Sequence, residues 1–372
     1  MSALGPRLDA LDAQGLRRRL RPVDGADLSG NDALGLSRDP LVREALQTAL
    51  SEGWPHGSTG SRLLSGDHPA WSALEARVAA WQGTEAALYF STGYAANVGL
   101  LSALPQAGDR VISDALNHAS LIDGMRLGRA DRVVVPHRDV DAVARVLAQS
   151  RGRRCWVAVE SLYSMDGDLT PLMALAEVCA AYSAHLLVDE AHATGLYGPE
   201  GQGRVAAEGL RGPASPVFAS IHTCGKALGL SGAFVCGPRA LRDWLINQAR
   251  SFVFSTATPP FLAAGLEAAL ARVRRDPALR ARPAALGQRL RDALAGRVDT
   301  GASQSHIVPL LVGSPEAALA LEARLATRGW HARAIRPPTV PPGSCRVRVV
   351  LRADLSDAQV DRLAADILES LG

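Results

Sequence analysis

Leu186-Leu187-Val188-Asp189-Glu190-Ala191-His192 opens as an unbroken apolar run and ends on a carboxylate. A strand that shows one face to water alternates apolar and polar residues, whereas a strand covered on both faces reads as a continuous hydrophobic run. Leu186–Asp189 is of the second kind. So are Ala87–Phe90, Arg110–Ser113, Arg132–Val135, Trp156–Glu160, Val217–Ile221 and Ala233–Cys236. Helical segments are expected between them, near Gly93–Ala103, Ala119–Arg129, Val140–Gln149 and Pro171–Ser183. This alternation predicts an α/β domain built on a mainly parallel sheet. In such sheets the groups that meet a ligand gather at the carboxyl ends of the strands, which singles out Asp189 and, in the next loop, His192.

Before this core the sequence reads as an arm, with an amphipathic segment over Arg7–Leu20 and a Gly/Asp-rich link at Asp24-Gly25-Ala26-Asp27. Helices follow at Pro40–Leu50 and Ala70–Gln82. The glycine-rich loop between them, Gly53–Gly66, suits close approach to a ligand or a partner subunit. After Gly237 come arginine- and alanine-rich helices at Pro238–Arg250, Pro260–Arg274 and Pro277–Leu294. Short strands near Ile307–Val312 and Arg346–Leu351, with helices Pro315–Arg328 and Ser356–Leu371, complete the chain. Three parts are expected: an N-terminal arm over 1–36, a large α/β domain over 37–258 and a smaller C-terminal α+β domain over 259–372.

The 372 residues carry a net charge of +3 without a long basic block, which argues against nucleic acid as a partner. No apolar run reaches membrane-spanning length and Met1–Leu20 lacks a signal-peptide core, so a soluble, cytoplasmic protein is expected. Five cysteines without a C-x-x-C pair indicate neither disulfides nor zinc.

Lys226, in Ser220-Ile221-His222-Thr223-Cys224-Gly225-Lys226-Ala227-Leu228-Gly229, is the single lysine; the other 39 of 40 basic residues are arginines. Lysine can lose its proton and arginine effectively cannot. A position that needed only charge would tolerate arginine, so Lys226 reads as a free amine, most often required for a Schiff base. The competing reading is a solvated lysine left by chance. For Asp189 three readings stand: a metal ligand with His192, a helix cap, or the partner of a pyridinium nitrogen in pyridoxal phosphate (PLP). Ser91-Thr92-Gly93-Tyr94-Ala95-Ala96-Asn97 opens a helix after a strand, either as a phosphate site or as an ordinary N-cap. His118, in Asn117-His118-Ala119-Ser120, is a ring that stacks on an aromatic ligand or a solvated loop residue.

Taken together, Thr223–Gly229, Val188–His192, Ser164-Met165-Asp166-Gly167-Asp168 and Asn117–Ser120 resemble, in order and over nearly the whole chain, the α-oxoamine synthases. These are PLP-dependent transferases of fold type I. The resemblance implies that Lys226 carries PLP and serves as the base at Cα, that Asp189 pairs with the ring nitrogen and that His118 stacks on the ring. His192 and Ser164 would bond near the phenolic oxygen, and the Gly93 and Tyr94 amides with Thr223 would hold the phosphate. It also implies a homodimer with shared active sites, in which Ser255 and Thr256 complete the partner's phosphate pocket. Arg348, in Arg346-Val347-Arg348-Val349, matches the arginine that grips the amino-acid carboxylate; Asn31, Arg17 and Thr339 match residues near the substrates. Ala334-Ile335-Arg336-Pro337-Pro338-Thr339-Val340-Pro341 is similar to the member of biotin biosynthesis that joins L-alanine to a pimeloyl group carried on CoA or on a carrier protein. A glycine C-acetyltransferase and a non-catalytic PLP-fold subunit are the alternatives. Two departures bear on the substrate wall: the chain is short between Pro22 and Ser29, and Ala33 replaces a common aromatic. His222 has no counterpart among these roles.

Overall fold

The computed structural model describes residues 4–212 and 214–371, so the first three residues of the expected arm and the last of the C-terminal domain lie outside it. The chain forms two compact units, one comprising Leu34–Tyr163 and Thr170–Arg280, the other the segment up to Ala33, the stretch Ser164–Leu169 and the chain from Ala281 onward.

The larger unit holds a seven-stranded sheet: β1 (Ala86–Phe90), β2 (Arg110–Asp114), β3 (Asp131–Val135), β4 (Cys155–Glu160), β5 (His185–Asp189), β6 (Val217–Thr223) and β7 (Ala233–Gly237). Their spatial order is β1-β7-β6-β5-β4-β2-β3. Only β7 runs against its neighbours, and the remaining pairs are parallel. The expected strands are therefore present, within a residue or two at each end. Alternate side chains feed two cores. Ala87 and Tyr89 face helices Pro69–Gln82 and Phe261–Arg275, while Leu88 and Phe90 face Gly93–Ala103. Trp71 stacks on Tyr89 with ring centroids 4.1 Å apart, a packing that adds specific geometry to large apolar burial. β3 departs from the buried pattern, with Asp131, Arg132 and Val134 exposed, because it is an edge strand. Register puts Glu160 beside Asp189, and Asp189 beside Ile221.

The break between units falls after Arg280, not at the expected 258/259. Helix Phe261–Arg275 buries Ala263, Leu266, Ala269 and Val273 in the same cluster as Trp71 and Phe234, which ties it to the sheet. The stretch up to Ala33 goes with the smaller unit, whose core takes in Leu28.

In that smaller unit β8 (Ile307–Gly313), β9 (Arg333–Ile335) and β10 (Cys345–Val350) form an antiparallel sheet in the order β9-β10-β8. Leu286 and Leu290 of helix Pro277–Leu294, Leu321 of Pro315–Thr327 and Leu363 of Asp357–Leu371 pack with it. The Gly/Asp-rich link contains an unexpected two-residue strand, Ala26–Asp27, which pairs in parallel with Trp330–His331. Gly25 permits this approach: its φ is +85°, and a Cβ there would lie 2.4 Å from the Gly329 carbonyl oxygen. The arm helix covers only Gly5–Ala13 and buries no residue, instead of running amphipathically to Leu20; Gly15, at φ +62°, leaves the helical region. No helix among the described residues is long and apolar enough to cross a membrane.

Candidate active site

In the larger unit Asp189 and Glu160 close adjacent parallel strands. Asp189 closes β5 and is 5% exposed. Its Oδ1 accepts from the Ala191 amide at 2.9 Å, and its Oδ2 accepts from Asn97 Nδ2 at 2.7 Å. Asn97, on helix Gly93–Ala103, spends its other amide hydrogen on Ser120 Oγ at 2.9 Å. Ser120 Oγ stands 2.7 Å from His118 Nδ1, which also accepts from the Ser120 amide at 3.2 Å. With Nδ1 an acceptor, His118 is the neutral tautomer that carries its proton on Nε2. Its pKa lies below the ordinary imidazole value because the surrounding walls desolvate it and the Lys226 charge opposes a second cation, against the pull of Asp189 and Asp123.

Lys226 lies half-buried in the turn after β6, within electrostatic reach of His118. That turn is closed by backbone bonds from Cys224 N to Gly232 O at 2.8 Å, from Gly229 N to Lys226 O at 2.9 Å and from Leu230 N to Cys224 O at 2.9 Å. Glu160, at the end of β4, completes the group: its Oε1 accepts from the His118 amide at 2.6 Å. Burial, then the neighbouring Asp189 charge, push the Glu160 carboxyl up to about 8, with Lys226 pulling the other way. His192 is buried in the loop after β5. Thr92 caps helix Gly93–Ala103 by accepting from the Ala95 amide at 3.0 Å, and the helix start faces Thr223, whose Oγ1 would be 3.2 Å from a Cβ on Gly93. A helix N-terminus presents amides without partners inside the helix, and such ends are suited to anions. Tyr94 is exposed, donates its hydroxyl to Asp123, and presents its ring edgewise to His118 at 6.5 Å. Ser255 and Thr256 lie in an irregular stretch after helix Arg250–Val253, Ser255 Oγ reaching only the Thr256 carbonyl at 3.5 Å. Among the described residues no three His, Cys, Asp or Glu side chains converge on a metal position.

The smaller unit brings Arg348, Ser164 and Asn31 together. Arg348 Nε donates to the Ser164 carbonyl at 2.6 Å and its Nη2 to Asn31 Oδ1 at 2.8 Å. Burial lowers its pKa to about 10, and no described carboxylate pairs with it, whereas Arg346 on the same strand face pairs with Asp166. A buried cation without a counter-ion is costly. Arg17 is instead paired with Asp12 at 2.5 Å, and Thr339 Oγ1 accepts from Arg18 at 2.9 Å.

Sequence reasoning missed Glu160 and Asn97. Glu160 carried the same signal as Asp189, a carboxylate closing an apolar run, and Asn97 stood inside the quoted Ser91–Asn97 stretch. His222, left without a role, is a buried core residue: its Nδ1 lies 3.3 Å from Gln82 Nε2 and 2.9 Å from Thr194 Oγ1, and its Nε2 lies 2.8 Å from Ser220 Oγ.

Residues 23–367 match the family model of class I and II aminotransferases. An 8-amino-7-oxononanoate synthase of Anaeromyxobacter dehalogenans (strain 2CP-1) is 46% identical over 97% of this chain and 94% of its own length. The enzyme of that name from Burkholderia thailandensis is 42% identical over 99% of this chain and 98% of its own. Among solved structures, a serine palmitoyltransferase of S. paucimobilis with PLP and myriocin bound superposes with a TM-score of 0.90 at 27% identity, covering 99% of this chain and 96% of that one.

Proposed function

The chain belongs to the class I and II aminotransferases and, within them, to the 8-amino-7-oxononanoate synthase family, and from that premise we propose that it condenses L-alanine with a pimeloyl thioester, releasing CO2 and the free thiol. It is a PLP-dependent acyltransferase of fold type I acting in biotin biosynthesis. The observation that carries the reading is the hydrogen-bonded chain Asp189–Asn97–Ser120–His118 at the strand ends, in the electrostatic reach of the single lysine.

The residues present fit PLP. Gly93 leaves room beside Thr223 where a side chain would intrude, so the helix amides of Gly93 and Tyr94 with the Thr223 hydroxyl would hold the phosphate. Asp189, kept buried and fixed by Asn97, would serve the ring nitrogen; the family resemblance gives His118 the place against the ring and His192 and Ser164 the phenolic oxygen. When bound, PLP supplies the electron sink for the charge left at Cα once its proton is removed. Lys226 would hold the cofactor and move the Cα proton through its amine nitrogen. Arg348, a buried fork without a counter-ion, takes the alanine carboxylate and so sets which bond at Cα is aligned to break. Asn31 orients Arg348 through its Oδ1, and Arg17 and Thr339 border the acyl substrate. The working form is a cytoplasmic homodimer, with Ser255 and Thr256 lent to the partner's phosphate site.

The test is CO2 release from L-alanine and from glycine, each offered with pimeloyl and with acetyl thioesters. L-alanine with the pimeloyl donor should dominate. Equal or faster release from glycine with acetyl-CoA would overturn the substrate assignment.

A further inference from the structure

Glu190 is wholly buried next to Asp189, and none of the roles above uses it. Its carboxyl collects three donors: Oε1 accepts from the Val205 amide at 2.6 Å, and Oε2 accepts from the Arg204 amide at 3.0 Å and from the Ser161 hydroxyl at 2.6 Å. Gly203, at φ +121°, lets the chain come this close, since a Cβ there would stand 2.7 Å from the Glu190 carboxyl carbon. The Arg204 side chain meets the same junction. Its Nη1 donates to the Ser161 carbonyl at 2.8 Å and to the Thr170 carbonyl at 2.7 Å, and its Nη2 donates to Glu208. The Thr170 amide returns to the Ser161 carbonyl at 3.1 Å, and the Thr170 hydroxyl donates to the Glu160 carbonyl oxygen. The loop from Ser161 to Thr170 is therefore tied shut at its mouth, and that loop carries Ser164. Glu190 also opens the loop after β5: its carbonyl accepts from the Ala193 amide at 2.9 Å and from the Thr194 amide and hydroxyl, each at 2.8 Å, closing a turn around His192.

Capping the short helix Arg204–Ala207 accounts for the two amides on Glu190. It does not account for the Ser161 hydroxyl, nor for an arginine that bridges two carbonyl oxygens at a loop mouth. The Ser161–Glu190 bond joins the two loops whose members, Ser164 and His192, fall to the phenolic oxygen of PLP. Groups that bond a reacting centre act well only when their own supports hold them to fractions of an ångström. We infer that the Ser161–Glu190–Arg204 junction is a positioning device for that oxygen, fixing the loops of Ser164 and His192 relative to one another without touching the cofactor. The inference rests on the PLP reading above and adds residues behind the site. Donors held against an anionic oxygen share its charge and weaken its grip on a neighbouring proton. Loosened donors return that grip, so the proton leaves at higher pH.

The experiment follows the visible absorbance of the PLP-loaded protein as pH is raised, in the wild type, Ser161→Ala and Glu190→Gln, and again with His192→Asn/Ser164→Ala in the background. Ser161→Ala removes the bond that joins the loops and leaves both amides on Glu190, so the helix keeps its cap. Its titration midpoint should lie about one pH unit above that of the wild type, the scale of one hydrogen bond to a charged group. Glu190→Gln should shift the midpoint at least as far, because its amide NH2 must face a backbone N–H that cannot accept. In the His192→Asn/Ser164→Ala background Ser161→Ala should add no further shift, since the effect passes through those two residues. A merely structural weakening would act in both backgrounds alike. The same shift in both backgrounds, or a midpoint in Ser161→Ala equal to that of the wild type, would overturn the inference, and Ser161→Ala decides this even where Glu190→Gln does not fold. A wild type that takes up no PLP and shows no visible band defeats the parent reading instead.

Discussion

Lys226 occupies a turn held shut by three backbone hydrogen bonds, within electrostatic reach of His118. Arginine at that position would keep the charge and the approximate length but could neither release a proton at neutral pH nor form an imine. Lys226→Arg should therefore lower CO2 release from L-alanine by about 10²–10⁴-fold, the usual contribution of a positioned base, or more if cofactor attachment also fails. Borohydride treatment followed by peptide mass spectrometry supplies a second readout, with PLP trapped on the Lys226 peptide in the wild type and on no peptide in the variant. Retention of activity in Lys226→Arg would remove the amine argument altogether. At this scale two residues stood out in the sequence by type, the one lysine among arginines and Asp189 closing the run Leu186–Val188, while Glu160 carried the same signal unread and Arg348 entered only through the family resemblance. The sequence was opaque where the residue acts through another. Asn97 matters because a helix carries its amide to Asp189, ninety-two positions away, and Glu160 because its carboxylate meets the His118 amide. Neither partnership leaves a mark in local sequence.

Apart from the edge strand Asp131–Val135, the strands of the larger unit were readable as elements because each is covered on both faces and so carries its burial in consecutive residues. Ala26–Asp27 and Trp330–His331 were not, since two residues show no period and their pairing depends on a chain separation that only the fold closes. Helix Phe261–Arg275 was readable as a helix but not as part of the sheet domain, because its amphipathic face does not say which core it meets. The start of helix Gly93–Ala103 is the element proposed to hold the phosphate. Its first amides lack partners within the helix, and Gly93 keeps the space before Thr223 open. Gly93→Val should fill that space and weaken PLP binding by about tenfold or more, in line with the cost of overpacking, as measured by fluorescence titration of cofactor-free protein. Affinity equal to wild type would place the phosphate elsewhere.

The stability of the whole molecule carries the opposing signatures of two buried titratable groups. Glu160, raised to about 8, holds a proton in the folded chain that the unfolded chain releases above the ordinary glutamate value, so its contribution declines as pH rises through that window. His222 works the other way. Wholly enclosed between Gln82, Thr194 and Ser220, it is pushed by burial down to about 3 from an ordinary value of 6.5. Below pH 6.5 the unfolded chain binds a proton that the folded chain refuses, so stability falls as pH falls, by about 1.4 kcal/mol per unit until the folded value is reached. Because every other group titrates alike in wild type and variant, the difference between them isolates this residue. His222→Gln keeps a hydrogen-bonding side chain without a titration in this range. Its loss of stability between pH 7 and pH 5 should be smaller than the wild type's by about 2 kcal/mol, read from urea midpoints at the two pH values whatever the variant's absolute stability. Parallel pH profiles for the two proteins would mean that His222 gains a proton in the fold as readily as in the open chain, and that the Gln82–His222–Ser220 network admits a cation.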